Sequence, residues 1–170
     1  KKHWAALDIG SNSILLLVCR EGTKGLPVEL HESLRITRLA EGVGSSGQLD
    51  AEARQRTLDA VRDLVAEWKT DGPDVAGVAT ATSAVRDADN GAAFLADVEQ
   101  FVGGRPRVIS GDEEAQTIFR AASSDAPEGV FVVSIDIGGG STEIGGGPSR
   151  GHCLQAMSLD VGCVRFGERF

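Results

Sequence analysis

Short runs of apolar residues, the third of them partly alternating with polar residues, predict three consecutive strands near the start of the chain. They are expected at residues 4–9, 14–19 and 28–38, and a short polar turn separates the first two. The third strand is expected to be half-buried, because its apolar residues are partly alternating. These residues are Val28, Leu30, Leu34 and Ile36.

After a loop over residues 42–47, the apolar residues recur with the spacing of a helix. Asp50 is expected to cap this helix, because a side-chain oxygen at the N-cap accepts a hydrogen bond from the first turn. The helix is predicted to run to about Lys69 and to end at Gly72-Pro73. Its inward face is predicted to consist of Leu58, Val61, Leu64, Val65 and Trp68.

Short strands and helices alternate in the next part of the chain. Strands are predicted at residues 75–80 and 107–109, and a helix over 91–102 lies between them. A further helix is expected to begin near Asp112 and to end at a linker over 124–129. The inward residues of the two helices are predicted to be Phe94, Leu95, Val98, Phe101 and Val102, then Ala115, Ile118, Phe119 and Ala122.

The strand pattern of the first residues begins again at Val130, which indicates an internal repeat. The similarity is confined to two loop segments, 8–13 and 136–143, which lie 128 positions apart (136 − 8). The second copy stops after its third strand, so its sheet is expected to lack the covering layer that an α/β sheet requires. We therefore predict one complete α/β domain over 1–125 and the start of a second over 126–170. Such a chain is either a fragment or is completed by a partner chain, and a homodimer is expected.

Composition excludes several classes of protein. The net charge of −8 argues against general nucleic-acid binding, which depends on neutralising phosphates. No apolar run approaches the roughly 20 residues that a membrane span needs. Three cysteines without Cys-x-x-Cys spacing indicate a reducing cytoplasm, and three scattered histidines argue against a zinc site.

The two similar segments each place a glycine turn after an apolar strand that ends in a carboxylate. Glycine lets backbone N–H groups approach an anion closely, and neighbouring Ser, Thr or Asn side chains add donors. A carboxylate at the end of the strand is able to hold Mg²⁺. Two such loops that face each other would bind a phosphorylated ligand from both sides, although a plain glycine-rich hairpin is the alternative. The candidate phosphate ligands are Ser11, Asn12, Ser13, Gly138, Gly139, Gly140, Ser141 and Thr142, and the candidate metal ligands are Asp8, Asp136 and Glu143.

The start of the helix near Asp112 contains two adjacent glutamates with different expected roles. Ser110 and Glu113 have the spacing of a capping box, which would tie Glu113 to the helix start. Glu114 then points elsewhere and is a candidate general base beside a phosphate site. The alternative is that both glutamates only complement the helix dipole.

One arginine is a candidate for phosphate binding, and two others are candidates for basic surface. Arg86 follows the strand at 75–80 at its carboxyl end, where ligands bind in open α/β sheets. An arginine there can bind phosphate with two parallel hydrogen bonds, but it can equally pair with a neighbouring aspartate on the surface. Arg35 and Arg38, on or beside the third strand, either add basic surface or are solvated edge charges.

Six motifs in this order resemble one known family. The chain is similar to the exopolyphosphatase / guanosine pentaphosphate phosphatase (Ppx/GppA) family, which belongs to the acetate and sugar kinase, Hsp70 and actin superfamily. The resemblance spans essentially the whole chain. It rests on Asp8-Ile-Gly-Ser-Asn-Ser, Arg38-Leu-Ala-Glu-Gly-Val, Thr82-Ser-Ala-Val-Arg86, Ile109-Ser-Gly-Asp-Glu-Glu114-Ala, Ile135-Asp-Ile-Gly-Gly-Gly-Ser-Thr-Glu143 and Val161-Gly-Cys-Val-Arg-Phe.

The resemblance implies a fold and a role for each candidate residue. The fold is a ribonuclease H-like (actin-like ATPase) domain, with a mixed sheet flanked by helices, followed by a second copy. Glu114 matches the glutamate that activates the attacking water, and Arg86 matches a phosphate-contacting arginine. Asp136 and Glu143 match acidic residues near Mg²⁺ or another divalent cation. The two glycine turns match the loops on either side of the phosphate.

The implied reaction is hydrolysis of the terminal phosphoanhydride of inorganic polyphosphate, or removal of the terminal phosphate of pppGpp. A non-catalytic module that binds polyphosphate or (p)ppGpp, and an ATP-dependent kinase of the same superfamily, are the alternatives. The chain departs from the family at Gly145-Gly146-Gly147-Pro148, which is expected to cut short the strand after Glu143.

Overall fold

Two β-sheets organise the fold, one in each of two compact units. The computed structural model describes residues 2–23, 27–70 and 76–168. Contacts within the chain divide it into unit 1, residues 1–108, and unit 2, residues 109–170. The predicted helix end at Gly72-Pro73 and the first residue of the strand predicted at 75–80 lie outside the described residues.

Unit 1 contains a mixed sheet of five strands in the order β3-β2-β1-β4-β5. The first three strands are antiparallel neighbours, whereas β4 pairs parallel to β1 and β5 pairs parallel to β4. The sequence predicted every one of these strands. Their bounds are His3–Ile9 (β1), Ser13–Glu21 (β2), Pro27–Ile36 (β3), Ala76–Ala81 (β4) and Arg107–Val108 (β5).

The described residues of unit 1 also form four helices: α1 (Val43–Ser46), α2 (Ala51–Thr70), α3 (Ser83–Asp87) and α4 (Gly91–Val102). The predicted cap of α2 is confirmed, because Oδ1 of Asp50 accepts hydrogen bonds from N–H groups of the first turn at 2.9 and 3.1 Å. The prediction of a loop over 42–47 is wrong. Gly42 and Gly47, at φ 75° and 69°, flank the short helix α1 there.

The core of unit 1 lies on one face of its sheet. Helix α2 packs on β2 and on α4, and α4 packs on β4. Alternate residues of β1 and β2 are buried against these helices, namely Ala5, Leu7, Ile9, Ile14, Leu16 and Val18. Of the predicted inward residues of α2 and α4, Val61, Leu64, Val65, Trp68, Phe94 and Val98 are buried, and Leu58, Leu95, Phe101 and Val102 are partly buried.

The apolar residues of β3 are exposed, so the prediction that they are half-buried is wrong. The exposed fractions of Leu34 and Ile36 are 52% and 66%. Strand β3 lies at the edge of the sheet, and its alternating residues do not face the helices that cover the core. A strand pattern predicts which residues share a face, but it does not say whether another element covers that face.

Unit 2 contains a sheet of three antiparallel strands, β6 (Phe131–Ile137), β7 (Thr142–Pro148) and β8 (Gln155–Leu159), in that order. Helix α5 (Gly111–Ser124) packs on all three strands, and the short helix α6 (Cys163–Gly167) follows β8. Within α5, Ala115 and Phe119 are buried and Ile118 is partly buried, as predicted, whereas Ala122 is exposed. None of the described helices is long and apolar enough to cross a membrane.

The glycines of residues 145–147 do not end β7, contrary to the sequence prediction. They pair with β6 and β8 inside the strand. A Cβ atom at Gly145 would lie 2.8 Å from Cβ of Phe119, and one at Gly147 would lie 3.0 Å from Cζ of the same ring. These glycines therefore let α5 lie directly on the backbone of the sheet.

Helix α5 packs with the second sheet although it was predicted as the last element of the first domain. The contacts divide the chain after Val108, not at residue 125. The boundary between the two copies of the repeat stays a prediction, because compact packing and duplication need not share a boundary. On the other face of the second sheet, apolar residues such as Ile135 and Ile137 are mostly exposed.

Candidate phosphate and metal sites

The glycine turns of the two units have the same backbone geometry. The N–H of Gly10 donates to the carbonyl of Ser13 over 2.9 Å, and the N–H of Gly138 donates to the carbonyl of Ser141 over 2.9 Å. A Cβ atom at Gly10 would lie 2.9 Å from the carbonyl oxygen of Ser13, and one at Gly138 would lie 3.1 Å from that of Ser141. The repeat that the sequence indicates in these segments therefore extends to the hydrogen bond that closes each turn.

The turn in unit 2 directs three consecutive carbonyl groups at the segment that follows β8. The carbonyls of residues 138–140 accept hydrogen bonds of 2.7–3.1 Å from the N–H groups of Cys163, Val164 and Arg165 and from Nε of Arg165. Each peptide here is trans, so the N–H group that follows a carbonyl points the opposite way. Three N–H groups are therefore directed away from that segment, those of Gly139, Gly140 and Ser141.

Close packing holds this turn in place. A Cβ atom at Gly162 would lie only 2.4 Å from the carbonyl oxygen of Gly139, so the segment after β8 lies directly against the turn. The hydroxyl of Thr142 donates to the carbonyl of Val161 over 2.5 Å. The predicted ligand Thr142 thus uses its hydroxyl group within the protein, where it ties the turn to the same segment.

The turn in unit 1 is held in a similar way. The carbonyl of Asn12 accepts hydrogen bonds from the N–H groups of Thr37 and Arg38 at 3.0 and 2.9 Å, and the carbonyl of Ser11 accepts one from Ala40 at 2.9 Å. By the same peptide geometry, the N–H groups of Asn12 and Ser13 point away from this segment.

Ser11 connects this turn to α3, the helix that carries Arg86. Its buried hydroxyl is 2.8 Å from the hydroxyl of Ser83 and accepts a hydrogen bond from the N–H of Ala84 at 3.2 Å. The structure therefore brings the predicted ligands Ser11 and Arg86 to neighbouring elements. Arg86 itself is partly buried, and its Nε lies 3.9 Å from the carboxylate of Asp87, the aspartate pairing considered from the sequence.

In unit 2, two predicted metal ligands lie directly opposite each other on paired strands. Asp136 of β6 pairs with Glu143 of β7, which in turn pairs with Ser158 of β8. The hydroxyl of Ser158 donates to Oε1 of Glu143 over 2.7 Å. Glu143 is only 1% exposed, whereas Asp136 is exposed. The pair thus consists of one fixed carboxylate and one that solvent reaches.

Helix α5 begins beside the cross-strand row that Asp136, Glu143 and Ser158 form. A Cβ atom at Gly111 would lie 2.4 Å from Cβ of Ser158, so the first turn of the helix contacts the row. The hydroxyl of Ser110 accepts a hydrogen bond from the N–H of Glu113 at 3.2 Å, which is one of the two hydrogen bonds of the predicted capping box. Glu114 lies in the same first turn, and its Oε2 atom is shielded from solvent. The positive end of the helix dipole favours carboxylates at this position.

The described residues contain no cluster of three or more His, Cys, Asp and Glu side chains that could hold a metal ion. Asp136 and Glu143 are a pair in unit 2, and Asp8 is an exposed residue of β1 in unit 1. Mg²⁺ usually keeps several waters and binds one or two carboxylates together with substrate phosphates. The oxygen donors of Asp136 and Glu143 fit that requirement.

Two residues that contribute to this geometry were given no role from the sequence. Ser158 alternates with apolar residues in β8, which places it on the same face as Glu143. Arg165 lies in the motif Val161-Gly-Cys-Val-Arg-Phe, but nothing in its spacing indicates that Nε bonds to the carbonyl of Gly140. The alternation could have identified Ser158, whereas the partner of Arg165 depends on how the chain folds back.

Comparison with known proteins gives consistent matches. The sequence profile of the Ppx/GppA phosphatase family matches residues 17–170. An exopolyphosphatase from Cytophaga hutchinsonii is similar in structure, with a TM-score of 0.91 and 28% identity over 99% of this chain and 54% of its own. An Aquifex aeolicus member of the Ppx/GppA family has a TM-score of 0.80 and 30% identity over 99% of this chain and 54% of its own. The chain therefore spans about half the length of these relatives.

Proposed function

Because the chain belongs to the Ppx/GppA phosphatase family, we propose that it acts in the hydrolysis of a terminal phosphoanhydride bond. The proposed substrate is inorganic polyphosphate or pppGpp. The observation that carries the proposal is the turn at residues 138–141, where three consecutive N–H groups point the same way beside a pair of carboxylates. Consecutive N–H groups that point the same way bind anions.

Each of the two glycine turns is proposed to bind phosphate through its backbone. In unit 2, the ligands are the N–H groups of residues 139–141. In unit 1, Asn12 and Ser13 are proposed as donors, and Ser11 is proposed to act by fixing the turn, since its hydroxyl already bonds to Ser83. Arg86 is proposed to bind phosphate oxygens through its guanidinium group.

Asp136 and Glu143 are proposed to hold Mg²⁺ or another divalent cation, and Asp8, the strand-end carboxylate of unit 1, stays a candidate metal ligand. A bound cation neutralises the charge of the transferred phosphoryl group. The hydrogen bond from Ser158 supports this assignment, because it fixes the carboxylate of Glu143 in one orientation. The solvent-exposed Asp136 is suited to a cation that keeps part of its hydration shell.

Glu114 is proposed as the general base. Its carboxylate takes a proton from a water molecule as the water oxygen bonds to the terminal phosphorus and the bridging P–O bond breaks. The proposal is supported by its place in the first turn of α5, which packs on the row that contains Glu143. Glu113 is assigned no chemical role in this proposal; its backbone N–H donates to the hydroxyl of Ser110 in the helix cap.

The test is phosphate release from three substrates, namely long-chain polyphosphate, pppGpp and ATP, each with Mg²⁺ and with excess chelator. The proposal expects release from polyphosphate or pppGpp that the chelator abolishes. Binding of these compounds without release would instead support a binding module. Transfer of phosphate from ATP to a small acceptor would support a kinase.

The predicted homodimer is tested separately by measuring the molecular mass of the protein in solution.

A further inference from the structure

Arg38 has an unusual backbone conformation. Its φ angle is 52°, in the left-handed region that residues other than glycine rarely adopt. Among the described residues, Arg150 is the only other non-glycine residue with a positive φ, at 56°. Strained residues of this kind persist where surrounding structure imposes them, and they are concentrated at functional sites.

The glycine turn of unit 1 imposes this conformation. The N–H groups of Thr37 and Arg38 both donate to the carbonyl of Asn12. The flanking residues Thr37 and Leu39 are buried, at 1% and 0% exposed, whereas Arg38 is exposed between them. The side chain of Arg38 therefore begins at the edge of the proposed phosphate-binding turn and extends into solvent.

The nearby arginines form ion pairs with acidic side chains, and Arg38 differs from them in this respect. Arg35 pairs with Glu67 at 2.5 Å, Arg54 pairs with Asp97, and Arg56 pairs with Glu41 at 3.2 Å. The side chain of Arg38 makes no ion pair or hydrogen bond within the part of the chain that the structure describes. In a chain with a net charge of −8, a polyanion needs a local positive charge of this kind.

We propose that the guanidinium group of Arg38 binds a phosphate group of the linear polyphosphate ligand whose end lies at the turn of residues 10–13. The inference rests on the proposed function and adds a ligand-binding residue to it. A guanidinium group binds phosphate oxygens with two parallel hydrogen bonds, which a side chain fixed at its backbone is well placed to make.

The second copy of the repeat supports this assignment by contrast. There, the N–H groups of Val164 and Arg165 share the carbonyl of Gly139, whereas those of Thr37 and Arg38 share the carbonyl of Asn12, which aligns with Gly140. However, Nε of Arg165 also bonds to the carbonyl of Gly140 over 2.7 Å. The arginine beside the second turn therefore holds that turn, whereas Arg38, beside the first turn, is exposed to solvent, where a ligand can reach it.

The test is calorimetric binding of tripolyphosphate to the 170-residue chain and to four variants. Arg38→Gly and Arg38→Asn both tolerate a positive φ, so they remove the guanidinium group without opposing the backbone. Arg150→Gly and Arg150→Asn are the matched controls at the other strained, exposed arginine. Both Arg38 variants are expected to bind about tenfold more weakly or worse, because a charged hydrogen bond is lost. The Arg150 variants are expected to bind like the unmodified protein.

Equal affinity of the Arg38 variants and the unmodified protein would overturn the inference and leave the proposed function intact. The same conclusion follows if the Arg150 variants lose as much affinity, because a general loss of positive charge then explains the effect. No binding of tripolyphosphate by the unmodified protein would count against the proposed function itself. Melting temperatures of all five proteins are expected to agree closely. If affinity is lost only in a variant whose melting temperature is also lowered, unfolding explains the loss and the inference is overturned.

Discussion

The hydroxyl group of Ser158 donates a hydrogen bond to Oε1 of Glu143 over 2.7 Å, from the neighbouring strand. The first turn of α5 lies on Ser158, since a Cβ atom at Gly111 would be 2.4 Å from Cβ of that serine. A buried carboxylate is costly unless it is hydrogen-bonded, so this hydrogen bond offsets part of the cost of burying Glu143, which is 1% exposed. The relationship links the start of α5 to the proposed metal ligand.

Replacing Ser158 with alanine is therefore expected to destabilise unit 2. Loss of the donor leaves a buried carboxylate poorly satisfied, at a cost of about 1–3 kcal/mol in the free energy of unfolding. The measurement is urea-induced unfolding, with Gln155→Ala as a control at an exposed position of the same strand. If Ser158→Ala unfolds at the same urea concentration as the control, the hydrogen bond does not stabilise the protein.

Asp136 is expected to affect the metal requirement and not the fold. Asp136→Asn removes one negative oxygen donor from an exposed position, so more Mg²⁺ should be needed for half-maximal phosphate release, by about tenfold. The measurement is a Mg²⁺ titration of activity at saturating substrate, with the melting temperature measured in parallel. An unchanged Mg²⁺ response would remove Asp136 from the proposed metal site.

The glycines of β7 allow a direct test of how α5 packs. Gly145→Ala would place a Cβ atom 2.8 Å from Cβ of Phe119 and 2.9 Å from the hydroxyl of Ser134. Overpacking of this kind typically costs about 1–3 kcal/mol. Gly146→Ala is the matched control, because its Cβ atom would face the other side of the sheet and lie 3.5 Å from the ring of Phe131. Thermal unfolding should distinguish the two variants, and equal melting temperatures would contradict the close packing of α5 on β7.

The cap of α2 predicts a dependence of stability on pH. The backbone N–H groups of Ala53 and Glu52 lower the pKa of Asp50 from its usual value. A carboxylate with a lowered pKa in the folded state contributes stability above its unfolded pKa, roughly 3.9, and loses that contribution as the pH falls through the folded pKa. Asp50→Asn keeps a capping oxygen but cannot titrate.

We therefore expect the melting temperature of Asp50→Asn to fall less between pH 5 and the acid limit of stability than that of the unmodified protein. At neutral pH the two proteins should differ little. Melting curves over that pH range provide the measurement. Parallel curves for the two proteins would show that the charge of Asp50 has no part in acid unfolding.

The sequence predicted the strands and the longer helices because their signals are local. Apolar runs beside the glycine turns located β1, β2 and β6, and the spacing of Val61, Leu64 and Trp68 gave the buried face of α2. The two glycine turns were also predicted from a local signal, because in both copies a glycine follows shortly after an aspartate near the end of a strand. These features depend on neighbouring residues alone.

The errors arose where distant elements decide the outcome. The exposure of Leu34 and Ile36 depends on which face of the sheet the helices cover. Gly145 and Gly147 lie in a strand because a helix from another part of the sequence fills the space above them. For the same reason, the sequence did not indicate that α5 packs on the second sheet, which is the contact that brings the turn with Glu114 onto the row with Glu143.

The central claim is that Glu114 activates the attacking water. The most direct measurement is phosphate release from polyphosphate by Glu114→Gln, with Glu113→Gln as the matched control one residue away in the same helical turn. Binding of tripolyphosphate is measured on the same proteins. We predict that Glu114→Gln loses turnover by at least about a hundredfold and still binds the ligand, and that Glu113→Gln keeps both. Equal phosphate release by Glu114→Gln and the unmodified protein would contradict the account.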